Sequence, residues 1–231
     1  MKKKIIVLCT LAIILVSCSS KEEHVEKKSA KQIFNKMVEV MKKNDSFKAD
    51  IEANSQLPNK EMSRNVYVAQ YNNFSDPDLR VGKKDVESDL DSGGNTEMYF
   101  SAEKVVVVNQ WLKKHFPIEM SDILFHEDLE FLNVNSDIVE TLKLADDNQY
   151  NLKVTLKFVD KIKKQDYFGI NTIGDVCTEV TKAELKIKIN KNYTIKECKY
   201  EYEMDTEYGK ATSNGVVIFN NYAPQKINIP D

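Results

Sequence analysis

Glycine and proline are scarce in this sequence, seven and five residues among 231. That scarcity excludes a collagen-like or low-complexity chain. Arginine is scarcer still: Arg64 and Arg80 are the only two, while lysine, asparagine and isoleucine abound, a skew that suggests an AT-rich bacterial genome. The formal net charge of −3 leaves no basic excess to drive binding to nucleic acid. Histidine occurs only at His24, His115 and His126, and no G-x-S-x-G, Walker or dinucleotide glycine pattern occurs anywhere. An enzyme is therefore not expected, and neither is a cofactor. There is no internal repeat, and no apolar run reaches the roughly 20 residues that a membrane-spanning helix needs.

The longest apolar run is Ile5 to Val16, preceded by Lys2, Lys3 and Lys4. Its length and charged flank fit the h-region and n-region of a signal peptide. It ends in Leu15-Val16-Ser17-Cys18, which looks like a bacterial lipobox. That resemblance implies a leader over residues 1–17, cut before Cys18, and a thioether-linked diacylglycerol (with a palmitate-type acyl anchor) on Cys18 itself. Two acyl chains on one residue give stable membrane attachment where one is marginal. The expected address is the cell membrane, on its extracytoplasmic side. Three lysines leave with the leader, so the formal charge moves by three units from −3 to −6. Residues 18–28 then read as the lipidated cysteine and a charged, aperiodic tether that includes His24. Such a segment buries too little apolar surface to fold, and extended it reaches roughly 35 Å.

Residues 29–231 read as one domain, since an apolar content of 42% and a charged content of 30% are ordinary for a globular protein. Ser29 and Gln32 form a capping-box pattern ahead of Ile33, Phe34, Met37, Val38 and Met41 at helical spacing. Strand candidates follow at 47–56, 64–71, 96–101 and 104–109, the last two reading as a hairpin that "QWLKKHF" extends. The acidic tract 76–95 reads as a mobile loop. Its "DLDSGGN" has some calcium-loop flavour but lacks the alternating ligands and closing glutamate of such a site. Between Pro117 and Asp147, Ser121 or Asp122 caps a helix carrying Phe125, Leu129 and Leu132, and Ile138, Val139 and Leu142 suggest a second. The last third alternates with period two: Tyr150 to Phe158, then Ala183 to Ile189, a turn at Lys191-Asn192, and strands over 193–205 and 215–222. Residues 160–174 read as a helical or irregular excursion broken at Gly169. The expected fold is α+β, a curved antiparallel β-sheet (half-barrel) of seven or more strands with helices packed on its concave face.

The chain ends in "AELKIKINKNYTIKECKYEYEM" and then "GVVIFNNYAPQKINIPD". A hairpin followed by Phe219, Tyr222, Ile227, Ile229 and Pro230 resembles the LolA-like and LprG-like bacterial lipoprotein superfamily, most closely its uncharacterised Gram-positive lipoproteins. The resemblance covers most of residues 29–231. It implies a half-open barrel plugged by helices, whose known members hold acyl chains between sheet and helices. No ligand-contact residue carries over by motif, because the pocket is generic apolar surface.

The candidate site follows from the apolar faces. Phe34, Met37 and Met41 on the first helix, Phe125 and Leu129 on the central helix, and Leu152, Val154 and Leu156 on a strand are expected to meet. Tightly packed they are a core; standing apart they line a slot for a lipid or lipidated molecule. The alternative is an envelope interaction or structural module with the same fold and no cavity, which recognises a protein or envelope polymer. Cys177 and Cys198 remain once Cys9 leaves with the leader and Cys18 is lipidated. An extracytoplasmic site permits a disulfide between them, whereas a turn at Lys191 sets Cys198 opposite Leu185, well past Cys177. Either a disulfide or two thiols fits. His126 and Glu130 alone share a helical face in "FHEDLEF", short of a zinc site, so no metal is expected.

Overall fold

The computed structural model describes residues 28–58, 62–76, 78–87, 95–110, 113–116, 137–145, 150–156 and 177–231. One helix, α1 (Ala30–Met41), lies among them. The strands are β1 (Phe47–Gln56), β2 (Ser63–Asn72), β3 (Val81–Glu87), β4 (Thr96–Ser101), β5 (Val105–Val108), β6 (Lys113–Phe116), β7 (Val139–Leu144), β8 (Asn151–Leu156), β9 (Cys177–Ile189), β10 (Ile195–Thr206) and β11 (Gly209–Asn221). They form one antiparallel sheet in the order β6-β5-β4-β3-β2-β1-β11-β10-β9-β8-β7. The sheet is open and curled, with β6 and β7 at its ends. Sheet neighbours are chain neighbours throughout, except where β1 meets β11 and joins the two halves, and the chain-consecutive β6 and β7 lie at opposite edges.

Alternation along most strands gives this sheet one apolar and one polar face, although β4 and β5 bury consecutive residues at Tyr99–Phe100 and Val105–Val106. In β10, Cys198, Tyr200, Tyr202 and Met204 are buried while Lys196, Lys199 and Glu201 are exposed. Directly opposed residues share a face, so register carries the pattern from strand to strand. Leu152 pairs with Ile187, which pairs with Cys198, which pairs with Val217 and so with Ile51. A one-residue slip anywhere would turn that strand's apolar set into water, so burial of one face specifies register.

α1 forms as its sequence predicts. The Ser29 hydroxyl accepts from the Gln32 amide at 3.3 Å, and the Gln32 side chain accepts from the Ser29 amide at 2.8 Å. This satisfies two of the orphan donors at the helix start. Ile33, Phe34, Met37 and Met41 face inward and join the same apolar cluster as the strands. Both ends of the helix are tied down. Lys28 donates to the Tyr193 hydroxyl at 2.6 Å, beside the β9–β10 turn, and past the other end the Phe74 amide donates to the Asp45 carbonyl at 2.9 Å. The helix thus reaches from the β9–β10 turn to the β2–β3 loop, across one end of the sheet.

The C-terminal residues close that end as well. Tyr222 donates to the Ile195 carbonyl at 2.6 Å, and Gln225 and Asn72 exchange two hydrogen bonds of 2.7 and 2.8 Å. Lys104 then reaches the Pro230 carbonyl at 3.3 Å. Phe219 and Tyr222 of the closing pattern stack with ring centroids 5.4 Å apart. Their role is to hold the tail across the strand ends.

Two expectations need correcting. Val139 and Leu142 lie on a strand, β7, and not on a second helix: Leu142 pairs with Val154 and Leu144 with Leu152. Val139 and Thr141 are β-branched, and a waiting edge on β8 outweighs the short helical spacing. The tract 76–95 is not one loop, because Val81–Glu87 is β3, paired on both sides. The expectation of seven or more strands is met by eleven, and α1 is the one helix among the described residues. The helix placed over Phe125 and Leu129, the excursion at 160–174, Trp111, and residues 1–27 with Cys18 and His24 lie outside the described residues.

Candidate functional site

The predicted site residues that the structure describes do come together. Phe34, Met37, Met41, Leu152, Val154 and Leu156 are all buried members of one cluster. Phe125 and Leu129 lie outside the described residues. In this arrangement the six are packed core, with Val154 and Leu156 at 0% exposure. Aromatic rings thicken the cluster at the end that α1 crosses. Phe47 sits 5.4 Å from Tyr71, 5.4 Å from Phe74 and 5.2 Å from Phe219, in tilted and edge-on contacts of the kind that ring quadrupoles favour. Tyr200 and Tyr202, alternate residues of β10, stack at 5.2 Å further along the same face.

One charged side chain on this face escaped the sequence reading. Lys84 pairs with Ala69 on one side and Met98 on the other, so it projects onto the apolar face, where it is only 5% exposed. Its ammonium lies 5.0 Å from the centre of the Tyr67 ring, within cation–π range. The signal was the parity of Gly82, Lys84 and Val86 in a strand, invisible while the tract read as a loop. Arg80, buried at the start of the same strand, lies 5.5 Å from the Phe74 ring.

The neighbouring lysine faces the other way. Lys83 makes 2.7 Å ion pairs with both Asp85 and Glu97, and Tyr99 donates to Glu97 at 2.9 Å. Partial burial disfavours the Lys83 cation, but hydrogen bonds to Asp85 and Glu97 outweigh it and hold its pKa above the ordinary range. The same bond from Lys83 lowers the Glu97 carboxyl. This is a paired charge cluster.

The cysteines are not joined. Cys177 stands opposite Thr206 and Cys198 opposite Ile187. Eight residues of β10 separate those two positions, about 26 Å of strand at ~3.3 Å per residue, whereas a disulfide needs Cα atoms within about 7 Å. The Cys198 thiol is free and fully buried. Burial, helped by the Glu197 charge, pushes its pKa far above the ordinary thiol range, so it is an inert packing group. β9 runs unbroken from Cys177 to Ile189, and the fold-back that a disulfide required does not occur. Among the described residues no group of three or more His, Cys, Asp or Glu side chains could hold a metal ion.

A hollow of about 330 Å³ lies by the β9–β10–β11 strands, lined by Glu184, Lys186, Lys199, Tyr200, Glu201, Asn214 and Gly215. Its charged lining belongs to the polar face, and none of the expected apolar contacts takes part. Tyr200 and Gly215 also line it. A Cβ at Gly215 would come within 2.5 Å of the Tyr200 hydroxyl, so the ring occupies the space a larger residue would need.

Fold and site therefore define a class: an open antiparallel sheet whose apolar face is the core and whose polar face is a lattice of lysine and glutamate. No protein-family model and no curated protein matches the sequence. Solved structures do. The chain is similar to LprF from Mycobacterium bovis, at 14% identity and a TM-score of 0.45 over 87% of this chain and 96% of that one. It is similar also to the LolA superfamily protein NE2245 from Nitrosomonas europaea, at 9% identity and a TM-score of 0.36 over 87% and 96%. A DUF1329 family protein from Desulfovibrio piger ATCC 29098 follows, at 11% identity and a TM-score of 0.31 over 88% and 96%.

Proposed function

We propose that this chain is a lipid-anchored extracytoplasmic protein that binds an apolar ligand, a lipid or lipidated molecule, against the apolar face of its sheet. The observation that carries the reading is the single apolar cluster in which α1 and both halves of the sheet meet. Helix and sheet share no backbone hydrogen bonds, so separating them breaks side-chain contacts alone. Met37 and Met41 at that contact are flexible enough to repack around an acyl chain. Lys84 places a cation on the same face beside Tyr67. The leader, Cys18 and the tether set the working place at the membrane surface. Among the described residues no helix is long and apolar enough to cross a membrane.

The test uses residues 21–231, purified without detergent, extracted with organic solvent and examined by native and lipid mass spectrometry. The reading expects a stoichiometric lipid that is lost on Leu156→Trp or Val154→Trp, with the variants folded by circular dichroism. A clean apo mass, with no uptake of a fluorescent fatty-acyl probe, removes it. A second reading, an envelope interaction module, is favoured by the hollow's place among charged side chains of the polar face.

A further inference from the structure

The polar face holds an arrangement that the sequence conceals. Lys143 pairs across with Lys153, Lys153 with Lys186, and Lys186 with Lys199. Four lysines from four separate strands therefore stand in one row, perpendicular to the strands. At about 4.8 Å per strand the row is roughly 14 Å long. Lys143, Lys186 and Lys199 are exposed, and Lys153 is half-exposed.

Like charges directly opposite one another destabilise a sheet, and here three consecutive cross-strand pairs are lysine on lysine. The surrounding acids relieve this only in part. Lys153 pairs with Glu184 at 3.2 Å and Lys199 reaches Glu197 at 3.8 Å. Glu197 is closer to Lys188, at 2.9 Å, and Glu201 binds Lys182, at 2.6 Å. Among the described residues, no carboxylate lies within ion-pair distance of Lys143 or Lys186. The next row holds Thr155, Glu184, Glu201 and Asn214, with two glutamates directly opposed. Charge is thus sorted into rows of one sign where alternation was available. The hollow of about 330 Å³ lies where the two rows run side by side, at Lys186 and Lys199.

We propose that the row Lys143–Lys153–Lys186–Lys199 is a docking surface for a linear polyphosphate chain laid across the strands. A linear ligand matches the row because its charges recur along one line, whereas a compact anion meets only two lysines at once. The adjacent glutamate row confines the polymer to that line. The surface is on the opposite face from the apolar cluster and does not depend on whether that cluster holds a lipid.

The experiment is calorimetric titration of the full chain, in non-ionic detergent, with short-chain sodium polyphosphate. The affinity should fall with salt at a log–log slope near −3, from four lysines at about 0.7 each for a flexible strand. Lys143→Gln with Lys186→Gln should halve that slope and weaken binding at least tenfold at about 50 mM salt. Lys36→Gln on α1 with Lys43→Gln just past its end should leave both unchanged. No binding at low salt, or equal binding by the row variant and the parent, overturns the proposal. So does partition of the chain onto phosphatidylglycerol vesicles, over phosphatidylcholine ones, that drops in the row variant while polyphosphate fails to bind. That outcome would make the occupant a bilayer.

Discussion

Gly215 offers the sharpest test of how this sheet is packed. On paper Gly215→Ala is favourable, since a strand alanine restricts the unfolded chain and typically gains about 0.4–1 kcal/mol. The structure predicts the opposite sign. The new methyl would sit 2.5 Å from the Glu52 carbonyl oxygen, 2.5 Å from the Tyr200 hydroxyl and 2.6 Å from its Cζ. Ordinary contacts between carbon atoms lie near 3.5–4.0 Å, so the shortfall is about 1 Å on two sides. Neither neighbour yields cheaply. Tyr200 is 6% exposed and stacked on Tyr202, and Glu52 belongs to the backbone ladder joining β1 to β11. Overpacking of this kind costs about 1–3 kcal/mol, and we expect a net loss of about 2. For a domain of this size that lowers Tm by roughly 4–8 °C. Urea unfolding should show a lower midpoint at unchanged slope. Tyr200→Ala combined with Gly215→Ala should cost less than the two single changes summed, because one clash disappears with the ring. A Gly215→Ala midpoint equal to or above the parent would refute the geometry.

Two further outcomes are expected. Cys198 should resist an aromatic disulfide reagent at pH 8 in the folded protein and react fully in denaturant, because its sulfur is buried and its thiolate disfavoured; rapid labelling with native circular dichroism would show an accessible thiol. Glu39 lies 2.9 Å from both Lys36 and Lys43, and hydrogen bonds to them, with their charges, hold its carboxyl at about 2 instead of 4.5. A lowered folded-state pKa contributes stability above the unfolded value and loses it as pH falls. Glu39→Gln should therefore be less stable than the parent at pH 7, by a margin that salt reduces, and the two should converge between pH 4.5 and 2. A difference constant over that range would mean the lysines do not perturb Glu39.

Some of this molecule was legible residue by residue. The Ser29–Gln32 cap, the buried stripe of α1 and the alternation of β8 to β11 are local patterns, and local patterns stand in the sequence. β3 was missed because Gly82, Lys83, Lys84 and Asp85 have little strand propensity of their own. It is a strand because β2 and β4 both offer it a ladder. β7 was misread because a six-residue run with three apolar positions fits helix or strand almost equally. The candidate site divides in the same way: burial of Phe34, Met37, Leu152 and Val154 follows from periodicity, but the cation among them does not.

The sequence by itself determined which side chains face inward on each regular element, because period 2 and period 3.6 are written in the order of the residues. It also carries, in Leu15 to Cys18, the lipobox-like pattern on which the proposed address rests. Only the tertiary structure decided which strands lie side by side. Lys143, Lys153, Lys186 and Lys199 are unremarkable singly and dispersed over some 56 positions of chain. They form a row because register, set by burial of the opposite face, aligns them. Cross-strand neighbours depend on pairing between distant segments, and no local pattern encodes that pairing. The same register parted the two cysteines by the length of a strand.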